Sequence, residues 1–160
     1  NGVLLEKSHF DLIPLLQECK DNALLFSKKQ VEIQFETQVD QYELHADPAH
    51  LKNVFSNLLD NAIKYTTDNV KIKIVVQVKG SGIMIHIQDN GIGIPKAYHK
   101  GIFDLFVRVP SGDVHNVKGF GLGLAYVKQI VSQHQGTIEV QSEVGLGSTF
   151  AVYLPKVAHD

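Results

Sequence analysis

The stretch Asn53-Val-Phe-Ser-Asn-Leu-Leu-Asp-Asn-Ala-Ile-Lys-Tyr-Thr66 decides how the chain is read. At about 100° per residue, Leu51, Phe55, Leu58, Leu59 and Ala62 fall on one side of a helix, and Asn53, Asn57, Asp60, Asn61 and Lys64 fall on the other. A solvated helix face usually carries Glu and Lys, whereas Asn is a poor helix former because its amide competes for nearby backbone groups. Asn57 and Asn61 stand at i and i+4, with Lys64 three residues later and Tyr65 at the border, so an amide oxygen and a cation share one line of the helix. Such a line suits a metal–phosphate group. A tolerated polar face accounts for it equally well.

Outward from this helix the pattern is regular. Asp47-Pro48 predicts its start, with Asp as N-cap and Pro at the first helical position. Before it, VEIQFETQ (31–38) alternates apolar and polar and predicts a strand, with YELHAD (42–47) as its partner strand. Earlier still, HFDLIPLLQECKDNALLFSKKQ (9–30) predicts a short strand and then a helix from about Pro14. Downstream, VKIKIVVQVKGSGIMIHIQD (70–89) predicts two strands joined at Lys79-Gly80-Ser81-Gly82. A helix resumes from Leu122, Gly136 is placed to stop it, and residues 136–155 close the chain as a hairpin. Between Asn90 and Phe120 the pattern is lost over about thirty residues, which in a compact domain marks a functional or mobile segment. Its second half, from Arg108 to Gly119, reads as a lid. The order of elements predicts an α+β fold, a two-layer sandwich in which helices cover one face of a mixed, mostly antiparallel sheet.

The bulk properties narrow the function. A chain of 160 residues with 44% hydrophobic residues predicts one domain with a real core. A formal charge of -2 and scattered Lys and Arg exclude a nucleic-acid stripe, so any phosphate affinity is local. The single Cys19 lies in an apolar stretch and predicts a core residue in a reducing compartment. No apolar run has the length of a membrane span, which predicts a soluble, intracellular domain without membrane contact, whatever anchor a parent protein carries.

Three glycine pairs remain: Gly91/Gly93 after Asp89, Gly119/Gly121 with Gly123, and Gly145/Gly147. Glycine commonly marks a turn. The second cluster opens a helix, however, where bare backbone amides would cradle phosphate oxygens. It matches neither GxxxxGK[ST] nor GxGxxG, so P-loop and Rossmann readings are set aside. Asp89 ends an apolar strand, and a carboxylate there would pair with an exocyclic amine such as that of adenine, or cap a turn.

Taken in order, NLLDNAIKYT (57–66), DNGIGIP (89–95), IFDLFVR (102–108), GFGLGLAYVK (119–128) and GLGSTF (145–150) resemble the N, G1, F, G2 and G3 boxes of the catalytic, ATP-binding domain of bacterial sensor histidine kinases. The resemblance implies the Bergerat fold shared with gyrase, Hsp90 and MutL ATPases, with ATP and Mg²⁺ as cofactors. It implies transfer of the γ-phosphate to a histidine on a separate helical domain, and indirectly a response regulator as partner. By position, Asn61 resembles the Mg²⁺ ligand, Asn57 supports the phosphate site, Lys64 meets phosphate oxygens and Tyr65 borders adenine. Asp89 resembles the adenine-reading carboxylate, with Gly91, Gly93 and Ile94 beside the base. Phe103 and Phe106 match the aromatics that anchor the lid, and Arg108 and Lys118 are lid cations. Gly119, Phe120, Gly121, Leu122, Gly123 and Leu124 match the triphosphate loop, and Gly145, Gly147 and Thr149 the third glycine box.

Position 57 favours a kinase over an ATPase. The ATPase relatives carry a water-activating Glu one turn before the metal-binding Asn, whereas Asn57 cannot act as a base. The family's phosphoacceptor box, His-Glu followed by Arg/Lys-Thr-Pro, is absent: His9 is followed by Phe-Asp-Leu, and His45, His50, His86, His99, His115, His134 and His159 fit no better. Residues 1–9 therefore read as a tail or linker from an upstream helical domain. The isolated piece is expected to be monomeric and to bind ATP without completing the reaction. A degenerate ATP-binding module and an anti-sigma serine kinase on the same fold remain as alternatives.

Overall fold

The computed structural model describes residues 2–104 and 120–156, the side chains of 120–122 excepted. The chain runs β1 (Ser8–Asp11), α1 (Leu12–Phe26), β2 (Val31–Thr37), β3 (Glu43–Ala46), α2 (Pro48–Lys64), β4 (Val70–Lys79), β5 (Gly82–Asp89), two 3₁₀ turns (Lys96–Tyr98 and Gly101–Phe103), α3 (Phe120–Gln133), β6 (Thr137–Glu143) and β7 (Gly147–Pro155). One five-stranded sheet has the order β2-β4-β5-β7-β6, with β2 and β4 parallel and the other pairs antiparallel. Alternation sorts its faces. Ile72, Ile74 and Val76 of β4, Ile83, Ile85 and Ile87 of β5, and Phe150, Val152 and Leu154 of β7 are all buried, together with Leu12, Leu16, Phe55, Leu58, Leu124 and Val127 of the helices. The predicted two-layer arrangement is what the chain adopts.

Two expectations about pairing and boundaries are corrected. Glu43–Ala46 does not partner β2; it pairs antiparallel with β1, His9 facing His45, in a separate two-stranded sheet. β2 instead reaches past α2 to lie parallel to β4, Ile33 opposite Ile72. Local alternation identifies a strand but not its partner. Helix α1 begins at Leu12, two residues before Pro14, because the Asp11 side chain accepts the Ile13 N–H at 3.0 Å and caps it there.

The end of α3 is a Schellman motif, with Gly136 N–H on the Val131 carbonyl at 2.9 Å and Gln135 N–H on that of Ser132 at 2.9 Å. The left-handed position belongs to Gln135 (φ 63), not to Gly136. Gly136 is glycine for a different reason: a Cβ there would collide with the Tyr153 carbonyl.

Helix α2 is fixed at both ends. At its start, the Asp47 carboxylate accepts the N–H of His50 at 3.1 Å and of Glu6 at 2.8 Å. Burial pushes this carboxyl up, but the two N–H donors, together with the nearby His50 and His134, outweigh it and leave it below the ordinary carboxylate value. The Asp47 N–H donates to Nε2 of buried His134 at 3.0 Å, while Nδ1 of the same ring lies 2.8 Å from the Ile130 carbonyl. Only a neutral ring protonated on Nδ1 satisfies both contacts. Burial accordingly holds the imidazole below its ordinary value. At the other end, the Lys29 ammonium donates to the carbonyls of Ile63 (2.7 Å), Thr66 (2.7 Å) and Lys64 (3.3 Å), a lysine cap on a helix C-terminus. Residues 1–9, read as a tail, are docked from Val3 onward: Val3 exchanges hydrogen bonds with the Gln133 amide before Glu6 reaches Asp47.

Candidate functional site

The polar line of α2 is not uniformly wet. Asn57 is half-buried, Lys64 is exposed, and Asn61 is only 9% exposed. Its Nδ2 is buried without a hydrogen-bond partner among the described residues. A buried, unsatisfied amide donor costs about 1–3 kcal/mol in general, so this is not a position where Asn serves packing. Past Lys64 the helix unwinds through Tyr65, whose N–H returns to the Asn61 carbonyl at 3.0 Å, and Thr66, whose hydroxyl donates to that of Ala62 at 2.7 Å.

Asp89 lies at the end of β5 on the helix-facing side, continuing the alternation of Ile83, Ile85 and Ile87. Its Oδ1 accepts the N–H of Gly91 at 2.8 Å and of Ser148 at 3.1 Å. Burial pushes the carboxyl up and the two N–H donors draw it back, with a net rise. Around it the ends of three elements are joined. The Ile92 N–H donates to the Tyr65 carbonyl at 3.0 Å, that of Gly145 to the Ile92 carbonyl at 2.9 Å, and that of Ile94 to the Ser142 hydroxyl at 2.7 Å.

These loops approach so closely that the glycines are required for packing. A Cβ on Gly91 would stand 2.7 Å from the Tyr65 carbonyl and 2.9 Å from both Asp89 Oδ1 and Thr66 Oγ1. Gly93 (φ 80) presses on the Glu143 carbonyl, and Gly147 (φ 120) on that of Asp89. The first and third glycine clusters are thus nested against each other around one carboxylate.

The remaining expected residues divide. Ile94 is 3% exposed and Leu124 0%, so both side chains belong to the core, and what either would offer a ligand is backbone. Thr149 faces away from Asp89, opposite Gln88 on the other side of the sheet, because Ser148, Phe150 and Val152 take the core-facing positions of β7. Ser148, which the reading of the sequence missed, is the hydroxyl residue beside the carboxylate. Counting by two back from Phe150 identifies it. Phe103 is buried edge-on against Phe150, ring centroids 6.2 Å apart, with the Lys128 ammonium 5.8 Å over its ring. Helix α3 starts at Phe120, two residues before the expected Leu122, so Phe120, Gly121, Leu122 and Gly123 form its first turn, where backbone N–H groups have no intrahelical partner. A Cβ on Gly123 would meet open space. Phe106, Arg108, Lys118 and Gly119 lie outside the described residues.

Cys19 is buried, its thiol 3.6 Å from the Lys52 carbonyl and pushed up by burial, as a core residue. No helix among the described residues is long and apolar enough to cross a membrane.

Against known proteins, residues 46–158 match the family described as histidine kinase-, DNA gyrase B- and HSP90-like ATPase. The chain belongs to this ATPase family. Its curated relatives include the sensor protein RprX of Bacteroides fragilis, 47% identical over 119 residues that are 73% of this chain and 23% of RprX. The sensor histidine kinase RcsC of Escherichia coli is 43% identical over 112 residues, 70% of this chain and 12% of RcsC. The chain thus spans about a quarter or less of these relatives. Among solved structures, the catalytic domain of histidine kinase ThkA superposes with a TM-score of 0.82 at 28% identity, covering 96% of this chain and 100% of that one. ThkA in complex with the response regulator protein TrrA gives 0.77 at 26% identity, over 96% of this chain and 42% of that one.

Proposed function

We propose that this ATPase-family chain is the catalytic, ATP-binding unit of a sensor histidine kinase, which transfers the γ-phosphate to a histidine on a separate helical domain. The observation that carries the reading is the convergence on Asp89 of the end of α2 and the first and third glycine loops. The carboxylate's Oδ1 is occupied by Gly91 and Ser148, which fixes its plane and leaves Oδ2 to accept an exocyclic amine. Adenine offers that amine, whereas guanine presents a carbonyl at the same place.

On α2, Asn57, Asn61 and Lys64 form the phosphate side. The donor set fits Mg²⁺: the side chain of Asn61 is a neutral amide held in a buried position, without a partner for its Nδ2 among the described residues. Amide orientation is set by such partners, so its oxygen can be turned outward. Among the described residues no cluster of three or more His, Cys, Asp or Glu stands ready as a cage. A cation held by one amide oxygen and the phosphates suits Mg²⁺, which keeps several waters and takes few protein ligands. When bound, it supplies neutralisation of phosphate charge.

Asn61 holds and orients, Lys64 adds a positive charge, and the first turn of α3 presents backbone N–H groups. Asn57 has no basic atom with which to activate water, so the nucleophile must bring its own reactivity, as an imidazole does. The partners that follow are ATP or ADP, the helical phosphoacceptor domain of the same kinase and, through it, a response regulator; the ThkA–TrrA complex supports the last.

The test is transfer in trans. The isolated chain should bind ATP, hydrolyse it slowly and not label itself, and addition of the parent's helical domain should yield acid-labile, base-stable phosphate on that domain's histidine. Label on Ser or Thr of a partner would place the chain with serine kinases instead. Tight ATP binding without any transfer would make it a binding module.

A further inference from the structure

The geometry points to Ser142 as the positioning residue that sets adenine selectivity, by locking the first and third glycine loops around Asp89; this rests on the nucleotide reading above. Ser142 lies near the end of β6, the edge strand of the sheet. Its hydroxyl accepts the Ile94 N–H at 2.7 Å and lies 2.7 Å from the Ser148 hydroxyl and 3.0 Å from the Gly147 carbonyl.

A hydroxyl has one proton and two lone pairs. One lone pair takes the Ile94 N–H. If the proton goes to the Gly147 carbonyl, the second lone pair accepts the Ser148 O–H; if it goes to Ser148, that residue's own proton is released to point elsewhere. In either arrangement the first loop, which carries Gly91 and Gly93, is tied to the third, which carries Gly147 and Ser148. The next link reaches the carboxylate, since Ser148 N–H donates to Asp89 Oδ1 and Gly147 packs on the Asp89 carbonyl.

Ser142 therefore acts on a bound base only through Asp89. Removing its hydroxyl strands the Ile94 N–H and frees Ser148 to rotate, which loosens the backbone that fixes the carboxylate plane. The expected effect is a loss of discrimination between bases, larger than the loss of general phosphate affinity. A merely structural serine would lower stability without changing which base is preferred.

The experiment compares wild type, Ser142→Ala, Ser142→Thr and Asp89→Asn by calorimetry with ATP and GTP in Mg²⁺, alongside apo thermal unfolding. Ser142→Ala should weaken ATP by about tenfold, the scale of one hydrogen bond to the base weakened when the Asp89 carboxylate is no longer held in plane, and shrink the ATP-over-GTP ratio. Ser142→Thr keeps the hydroxyl on a strand that tolerates β-branching and should restore both to within about twofold. Ser142→Ala with a lower melting temperature but an unchanged ATP-over-GTP ratio overturns the proposal, as does failure of Ser142→Thr to rescue. The two readings fail separately: if Asp89→Asn leaves ATP affinity and selectivity intact, the nucleotide reading falls and the Ser142 proposal with it. If Asp89→Asn abolishes selectivity while Ser142→Ala does not, only the latter falls.

Discussion

At Asp89 the carboxylate accepts two backbone N–H groups, and the loops around it are joined by Ile92, Ile94, Ser142 and Gly145. On α2, by contrast, the buried Asn61 amide has an Nδ2 without a partner among the described residues. The first region is completed by the protein's own backbone, so its shape exists before any ligand arrives. The second carries polarity that the described protein atoms do not satisfy. On the proposed nucleotide reading, a preorganised base end and an unsatisfied phosphate end assign selectivity to the rigid corner and most of the ligand-linked stabilisation to the helix.

The largest effect that would break this comparison is at Asn61. Asn61→Ala should weaken nucleotide binding in Mg²⁺ by about 100-fold, the scale on which losing a group that supports a bound metal lowers affinity, with little change in EDTA. Apo stability should barely fall, because the variant also removes a stranded donor. Calorimetry with and without EDTA measures this, and equal affinity of wild type in both conditions removes the metal from Asn61.

The next effect is at Asp89. Asp89→Asn should cost about 1–3 kcal/mol of ATP binding and erase the preference over GTP. Its effect on the empty fold has the opposite sign. Because burial raises the folded-state value of this carboxyl, the native chain holds the proton more readily than the unfolded one. Stability from this group is therefore present in acid and lost as pH rises above the ordinary 3.8 through the folded value. The Asn variant should melt higher than wild type at neutral pH, as thermal scans in the absence of nucleotide would show. A lower melting point would mean that the carboxylate supports the corner rather than straining it.

The smallest effect lies at the start of α2. His134 is held below its ordinary 6.5, so as pH falls the unfolded chain takes up the proton first. Its contribution is complete above that value and declines below it, when the Asp47 N–H loses its acceptor. Urea midpoints between pH 8 and 5 should fall on the acid side of 6.5, and nitrogen NMR should show the Nδ1-protonated neutral ring persisting below it. A ring that titrates normally would uncouple this joint from the anchoring of α2.

How much of this was legible in the chain varied with the range of the interaction. Asp47-Pro48 capped α2 as expected because a cap is settled within four residues. The pairing of Glu43–Ala46 was not legible, since its alternation fits β1 and β2 alike and only the crossing of α2 brings β2 to β4. Within the candidate site, Asn57, Asn61 and Asp89 stood out because their residue types are unusual in their local setting. Ser142 and Ser148 did not, being ordinary hydroxyl residues on strands. Lys29 did not either, because the carbonyls that it caps lie more than thirty residues away.

The sequence by itself determined the two-layer α+β architecture, the amphipathic helix with its asparagine line and the order of the five boxes, because periodicity and residue type are local properties of the chain. Only the tertiary structure decided that the first and third glycine clusters are one assembly. Gly91, Gly93 and Gly147 each press against atoms from a distant segment, Tyr65, Glu143 and Asp89. The need for glycine there is steric and nonlocal, so nothing in the neighbouring residues announces it.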